Sequence, residues 1–241
     1  MKIIVNNSFI GKKMPPLMDT WFYSADQERT PNKNLLMSEH SIDVYINGTK
    51  EASLSCTPEH LPEFVAGWIL TGQFVESGKD IKEINICEDG SRAEVVLLKD
   101  LESRPDHLEE VPSLSWESKQ IYRYANYFES DNSFHQSVRS THSAYLFQGD
   151  ECLFRAKDLG RHSAMDKVIG YALLNQINLS SCVVYTSGRM PMDMVKKIIV
   201  AKIPVMISKK SPTKEAMELA RQYKLTLIGK ATPDSFILYS E

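Results

Sequence analysis

The 241-residue sequence lacks several features that would assign it to a class of protein at once. No apolar run approaches the ~18 residues that cross a bilayer, and the start, MKIIVNNSF, has no apolar core of the kind found in secretion signals. The four cysteines, at positions 56, 87, 152 and 182, are scattered singly, which argues against a disulfide framework and against a cysteine-based metal site. We therefore expect a cytoplasmic globular protein with free thiols.

Familiar catalytic signatures are absent as well. There is no Gly-x-Ser-x-Gly elbow and no cysteine beside a histidine. Cys56 lies just before a predicted helix, a position that lowers a thiol pKa, and is the one candidate for a reactive thiol. A single cysteine at a strand end is more often a small buried hydrophobic residue. The Pro-Cys-x-x-Cys that completes the zinc site of a deaminase is absent, so we expect no zinc and no other metal.

The net charge of −3 conceals an uneven distribution of charge. Residues 157–224 carry 12 basic against 5 acidic side chains, while the remainder of the chain is acidic. Such a basic segment attracts an anion or an acidic partner, although solvated Lys-rich helix faces explain it equally well.

The pattern of elements predicts three units along the chain. Residues 1–37 have no sustained period and form an N-terminal arm, with a possible strand at residues 3–5. Residues 38–130 form a smaller α+β domain, and residues 131–241 form an α/β domain in which strands alternate with helices. This alternation predicts parallel strands joined by crossover helices.

Turn and cap residues predict where the elements begin and end. Pairs of alternating segments flank three turn dipeptides and predict hairpins, at Asn47-Gly48, Asp89-Gly90 and Gly149-Asp150. Thr57 followed by Pro58 predicts the cap and first residue of a helix, and Ser211 the cap of another. A further helix is predicted over residues 114–128.

Two loops that follow predicted parallel strands are candidate ligand sites, because ligands collect at the carboxyl ends of such strands. In TSGRM, residues 186–190, Ser187 offers a hydroxyl, Gly188 permits close approach of the backbone, and Arg189 offers a planar fork for phosphate or carboxylate. The second loop is SKKSPT, residues 208–213. Both loops also fit ordinary strand-to-helix turns.

A denser candidate is DLGRHSAMDK, residues 158–167, immediately before an apolar periodic run. His162 and Asp166 are four residues apart, so the carboxylate is expected to pair with the imidazole and fix its tautomer. These two side chains are too few for a zinc site. The stretch is either a ligand cradle or a charged pair on a solvated helix, and His142 could face the same cleft.

Several long segments, taken in order, resemble the FdhD family of formate dehydrogenase accessory sulfur carriers. They are YINGTKEASLSCTPEHLPEFVAGWILTGQFVES, KDLGRHSAMDKVIG, YTSGRMPMDMVKK, KIPVMISKKSPTKEAMELA and LTLIGKA. The resemblance runs from about Ser38 to the C-terminus. It implies a C-terminal cytidine deaminase-like three-layer α/β/α domain with a mixed sheet, preceded by the smaller α+β domain, in a cytoplasmic homodimer.

The resemblance also implies a function. Family members accept persulfide sulfur from a cysteine desulfurase and pass it to the molybdenum cofactor, molybdopterin guanine dinucleotide, before its insertion into formate dehydrogenase. GDP or GTP would mimic that bound substrate, and neither nucleic acid nor membrane is expected as a partner. Carried over by motif, the residues that line the cofactor cleft are Asp158, Gly160, Arg161, His162, Asp166, Lys167, Ser187, Gly188, Arg189 and His142, with Met194 and Lys197 beside them. By the same resemblance, the residues that contact the guanine end of the cofactor are Lys230, Ala231, Thr232, Pro233, Asp234 and Ser235.

The sequence departs from the family pattern at the sulfur carrier itself. The family's Cys-x-x-Cys loop should lie between Glu88 and Glu151, where no cysteine occurs. Neither serine nor aspartate can hold a sulfane sulfur. Val138 and Arg139 replace an expected Thr-Gly pair, and KATPDS lacks the family's Gly and Arg. The alternatives are a non-catalytic chaperone for the cofactor or a guanine nucleotide, and a protein-protein scaffold.

Overall fold

The structure is a computed structural model, which describes residues 2–11, 17–26, 28–99, 107–131 and 141–241. Val138 and Arg139 lie outside the described residues. The strands are β1 (Ile4–Asn7), β2 (Leu17–Tyr23), β3 (Arg29–Leu35), β4 (His40–Ile46), β5 (Thr49–Cys56), β6 (Ile81–Ile86), β7 (Arg92–Leu97), β8 (His142–Gln148), β9 (Glu151–Asp158), β10 (Cys182–Thr186), β11 (Val205–Ser208), β12 (Thr226–Gly229) and β13 (Ile237–Ser240). The helices are α1 (Leu61–Thr71), α2 (Ser118–Asp131), α3 (Arg161–Leu174), α4 (Met192–Val200) and α5 (Lys214–Gln222).

The first half of the chain forms a five-stranded mixed sheet in the order β1-β6-β7-β4-β5. The β4–β5 hairpin turns at Asn47 and Gly48, both with positive φ, which is the backbone that the Asn-Gly pair tolerates. The predicted strand near residues 3–5 is β1, which pairs in parallel with β6. This part of the N-terminal arm is therefore built into the sheet.

The second half forms a six-stranded mixed sheet in the order β13-β12-β11-β10-β8-β9. Strands β10, β11 and β12 are parallel and are joined through α4 and α5, as the alternation predicts. The outer strands β8, β9 and β13 are antiparallel. The mixed α/β fold expected from the sequence is confirmed.

Helices cover both faces of the six-stranded sheet. Side chains on one face pack with α2 through Ile121, Tyr124 and Phe128. The other face packs with α3, α4 and α5, and the same cluster of buried side chains continues through α1 into the five-stranded sheet. The proposed boundary between residues 130 and 131 stays a prediction, since one core joins both sides of it.

Helices α1 and α3 cross in direct backbone contact at two glycines. A Cβ on Gly67 would overlap the carbonyl oxygen of Asp166, and a Cβ on Gly170 would overlap that of Glu63. Only glycine permits this approach at either position. The crossing fixes the start of α3 relative to the first half of the chain.

Two predicted helix caps are wrong. Helix α1 begins at Leu61 after His60, and Thr57 is instead fully buried among polar groups described below. Helix α5 is capped by Thr213, whose hydroxyl accepts the N–H of Ala216 at 3.2 Å, rather than by Ser211. In the described part of the chain, no helix has both the length and the apolar character required of a membrane span.

Candidate functional site

The predicted site residues meet at one edge of the six-stranded sheet. His142 opens β8 and lies opposite Asp158, the last residue of β9, and β10 ends nearby at Thr186. Antiparallel pairing thus brings the start of one strand and the ends of two others together. Two cavities of about 380 and 470 Å³ lie toward the opposite edge, where α3 and α4 end, and a third of about 290 Å³ lies between β1 and residues 58–61.

Ser187 locks the loop after β10 onto β8. Its N–H donates to the carbonyl of Ser143 at 3.0 Å, and its hydroxyl accepts the N–H of Ser143 at 2.9 Å. The same hydroxyl is 3.5 Å from Nδ1 of His142. Ser187 therefore orients this loop and the imidazole beside it.

Gly188 makes room for Arg161. A Cβ at position 188 would lie 3.0 Å from Cβ of Arg161 and 3.3 Å from its Cδ, so the arginine stem lies against the glycine. Nε of Arg161 is buried and has no hydrogen-bond partner among the residues that the structure describes. A buried donor left unpaired costs about 1–3 kcal/mol, which an incoming acceptor would offset.

The charge at this edge is positive and largely uncompensated. Among the described residues, no carboxylate lies within 4.0 Å of the cationic group of Arg161, Arg189, Lys210 or Lys230. Lys209 is the exception, since its ammonium is 2.5 Å from Glu129. The free N–H groups at the start of α3 add positive potential at the same place.

This field acts on His142. Burial lowers the pKa of His142, and the nearby charges of Arg161 and Arg189 lower it further, against a weaker opposing effect of Asp158. The imidazole is thus held toward its neutral form beside two guanidiniums. An anion placed among these groups would favour its protonation.

Asp158 and Lys167 do not face the open edge. Both side chains are fully buried, with Nζ of Lys167 2.6 Å from Oδ2 of Asp158. Thr57 completes the cluster, because its N–H and hydroxyl donate to that carboxylate and its oxygens accept from Lys167. These residues position Gly160, whose N–H donates to Oδ1 of Asp158 at 3.0 Å.

Asp166 and His162 do not form the predicted pair. Asp166 is buried and accepts from Lys197 at 2.7 Å and from Thr71 at 2.8 Å, while burial raises its pKa against the lowering effect of Lys197. Nε2 of His162 lies 3.2 Å from Asp193 instead. The spacing of four residues places His162 and Asp166 on one face of α3. The carboxylate of Asp166 nevertheless binds Thr71 and Lys197, because both side chains reach it from neighbouring helices.

The C-terminal loop 230–235 joins the same edge. The N–H of Ala231 donates to the carbonyl of Ser208, and its carbonyl accepts from the hydroxyl of Tyr185 at 2.9 Å. Lys230, Asp234 and Ser235 are exposed, whereas Thr232 closes the turn through its hydrogen bonds to Ser235. Ser208 also ties in the loop after β10, since its hydroxyl donates to the carbonyl of Gly188 at 2.6 Å.

None of the four thiols is exposed at this site. Cys56 is buried, and burial raises its pKa to about 12, so the expected lowering by a helix terminus is wrong. Burial likewise raises the pKa of Cys182 to about 11 and raises that of the half-buried Cys152. Cys87 is partly exposed, but it lies at the β6–β7 turn of the other sheet, where Asp89 accepts from its sulfur.

The donor set at the edge fits a ligand with phosphate groups. It combines planar guanidiniums, free backbone N–H groups and a glycine that admits close approach, all of which suit phosphate oxygens. Thr57, Thr71 and Asp193 were missed in the sequence because their partners lie 101, 95 and 31 residues away. Tertiary contact alone reveals such roles.

Comparison with known proteins gives a consistent family. A family model described as the FdhD/NarQ family matches residues 37–112 and 96–241. Protein FdhD of Methanocaldococcus jannaschii is 35% identical over 207 residues, covering 84% of this chain and 86% of that protein. The sulfur carrier protein FdhD of Methanothermobacter thermautotrophicus is 29% identical over 243 residues, covering 92% and 95%.

A solved structure is similar over nearly the whole chain. The crystal structure of a formate dehydrogenase accessory protein from Desulfotalea psychrophila superimposes with a TM-score of 0.85 and covers 95% of this chain and 97% of its own. The two sequences are 22% identical, so the likeness shows a shared fold.

Proposed function

The chain belongs to the FdhD/NarQ family, and from that premise we propose that it is an accessory protein that holds the molybdenum cofactor, as molybdopterin guanine dinucleotide, for formate dehydrogenase. The observation that carries this proposal is the pair of guanidiniums, Arg161 and Arg189, which have no carboxylate partners among the described residues. The stem of Arg161 packs against Gly188, and its buried Nε has no hydrogen-bond partner in the described part of the chain. The cofactor is the bound cargo of this protein and would bring its molybdenum centre with it.

Each part of the edge has a role in this binding. The diphosphate would accept hydrogen bonds from Arg161, Arg189 and the first N–H groups of α3. His142 would lie beside it, with Ser187 fixing the ring. Asp158, Asp166 and Lys167 are buried and do not contact the ligand. Their hydrogen bonds hold Gly160 and helix α3, which present these donors, in place. Residues 230–235 would receive the guanine end.

Guanine nucleotide binding tests this proposal. GDP should bind the full chain in isothermal titration calorimetry, and Arg189→Ala should weaken binding roughly 10- to 100-fold, the loss of one charge-assisted hydrogen-bonding partner. Lys224→Ala is the matched control, because it removes one positive charge at the end of α5, where Lys224 pairs with Glu110. If GDP does not bind, or if both variants weaken binding equally, the proposal is wrong.

A second candidate follows from the relatives that are named sulfur carrier proteins. Here a thiolate of this chain would attack the outer sulfur of a cysteine desulfurase persulfide, the S–S bond would break, and the desulfurase thiolate would leave. The thiolate is the reactive form, and burial disfavours it at Cys56, Cys152 and Cys182. The thiol positions therefore favour the non-catalytic holder over the carrier.

One pair of measurements separates the two candidates. After incubation with a desulfurase and GDP, mass spectrometry of the full chain should show no added sulfur if the protein is a holder. The variant with all four cysteines changed to serine should still bind GDP. A persulfide on any cysteine would favour the carrier. In that case GDP binding in the calorimetry would still test separately whether the cofactor binds at this edge of the sheet.

A further inference from the structure

Lys209 is a cation of the candidate site that a carboxylate of the same chain already holds. Its Nζ donates to Oε1 of Glu129 at 2.5 Å and lies 5.6 Å from the centre of the Phe128 ring. Glu129 belongs to the last turn of α2, which packs on the face of the six-stranded sheet opposite α3. The contact therefore joins the residue after β11 to the end of α2 and neutralises one of the positive charges at this edge.

The backbone of Lys209 lies one strand away from the loop that follows β10. Its N–H donates to the carbonyl of Thr186, the last residue of β10, at 3.2 Å. The preceding residue, Ser208, donates its hydroxyl to the carbonyl of Gly188 at 2.6 Å. Adjacent strands are about 4.8 Å apart, and a lysine carries its ammonium on a flexible four-carbon stem. Lys209 can therefore direct its ammonium either to Glu129 or to an anion bound at this loop.

Solvent exposure decides which lysine near the site can change its partner. The two side chains of the Lys209–Glu129 pair are 36% and 35% exposed, whereas Lys167 and Asp158 are fully buried. An exposed ion pair shifts an equilibrium by about fivefold at most, while breaking a buried pair leaves an uncompensated charge in the interior. A charge-assisted hydrogen bond to phosphate contributes roughly 10- to 100-fold. A phosphate ligand thus outcompetes Glu129 for Lys209, whereas Lys167 stays with its carboxylate.

We propose that Glu129 competes with the phosphate groups of the ligand for Lys209, which makes Lys209 an exchangeable phosphate-binding cation. This inference rests on the proposed function, because it concerns the same edge of the sheet. When phosphate takes Lys209, the carboxylate of Glu129 loses this partner and the last turn of α2 loses its ion pair to the residue after β11. Glu129 thus sets the affinity of the site for phosphate ligands and couples their binding to the end of α2.

Titration calorimetry of the full chain with inorganic diphosphate and with GDP tests this competition. Glu129→Gln removes the competing carboxylate and should tighten the binding of both ligands roughly three- to tenfold. Lys209→Gln should weaken their binding by a similar factor. In the background of Lys209→Gln, the gain from Glu129→Gln should shrink, because no ammonium is left for the carboxylate to hold.

The Lys202–Glu109 pair is the matched control, because its charged atoms are also 2.5 Å apart and it lies at the opposite edge. Glu109→Gln and Lys202→Gln repeat the two charge changes there and should leave both affinities within about twofold, since salt screens distant exposed charges. The side chains of both pairs are at least 35% exposed, so circular dichroism of all variants should match the parent.

Three results would overturn the competition between Glu129 and the ligand. The first is a Glu129→Gln variant that binds diphosphate no more tightly than the parent chain. The second is a gain of the same size with and without Lys209, and the third is an equal gain from Glu109→Gln. If diphosphate follows the expected pattern and GDP does not bind, the competition stands and the proposed guanine nucleotide site is wrong. If neither anion binds the parent chain, both proposals are wrong.

Discussion

His142 illustrates how single residues at the candidate site respond to their surroundings. Burial and the charges of Arg161 and Arg189 lower its pKa below the ordinary value of about 6.5. In the unfolded chain the imidazole takes up a proton more readily, so the stability that His142 contributes is full above pH 6.5 and falls as the pH drops below it.

We predict that Arg189→Ala raises the pKa of His142 while burial still holds it below 6.5. Titration of the His142 ring by NMR measures this, with Lys224→Ala as the variant of equal charge change. Addition of GDP should also raise the pKa, because phosphate charge stabilises the imidazolium. A His142 pKa that is the same in the parent, in Arg189→Ala and with GDP would contradict the assignment of this edge.

The sequence predicts an anion site, which stays a prediction, and the charged residues behind it take different roles in the structure. The stem of Arg161 packs against Gly188, and Arg161 and Arg189 add to burial in lowering the pKa of His142. Lys167, of the same charge, is fully buried against Asp158 and Thr57. Charge pattern alone does not distinguish a cation that faces a ligand from one that neutralises a buried carboxylate.

At the scale of elements, the crossing of α1 over α3 fixes the site. Helix α3 carries Arg161 and His162, and its separation from α1 is set by Gly67 and Gly170. The same crossing brings Thr57, which precedes α1, and Thr71, its last residue, onto Asp158 and Asp166.

Gly170→Ala is therefore expected to destabilise the protein by about 3 kcal/mol, the upper end of the range for overpacking, because backbone of α1 blocks the new methyl group. Urea unfolding would measure the loss of free energy of unfolding. Gly78→Ala is the control, since its nearest neighbour would be a side-chain carbon at 3.4 Å. Equal stability of the two variants would mean that the helices separate readily.

Element boundaries followed from local chemistry where the signal was local. The Asn47-Gly48 and Asp89-Gly90 turns are where they were predicted, with positive φ at Asn47, Gly48 and Gly90. The caps at Thr57 and Ser211 were wrong, because the chain continues for several residues before each helix starts. Thr57 instead satisfies a buried carboxylate, which outweighs its value as a cap.

For the molecule as a whole, the shared core predicts cooperative unfolding of both halves. One cluster of buried side chains runs from the five-stranded sheet through α1 and α3 to the six-stranded sheet. Trp68 packs on this cluster, and Trp116 packs near Phe236 on the far face of the second sheet.

Two single-probe proteins test this in a Trp21→Phe background. Trp116→Phe leaves Trp68 as the fluorophore, and Trp68→Phe leaves Trp116. Each protein should show coincident urea midpoints by fluorescence and by circular dichroism. A fluorescence midpoint that departs from the circular dichroism midpoint of the same protein would show that the two halves unfold separately, as the predicted boundary at residue 130 would allow.

The sequence by itself determined the fold class, the hairpin turns, the alternation that gives β10, β11 and β12 their parallel order, and the family. These features depend on local periodicity, turn chemistry and long ordered motifs, all of which can be recognised in the sequence. The tertiary structure alone decided which charged groups face outward, that His162 pairs with Asp193, and that Cys56 is buried. Those outcomes depend on residues far apart in sequence competing for the same buried space and the same hydrogen bonds, and only folding brings the competitors together.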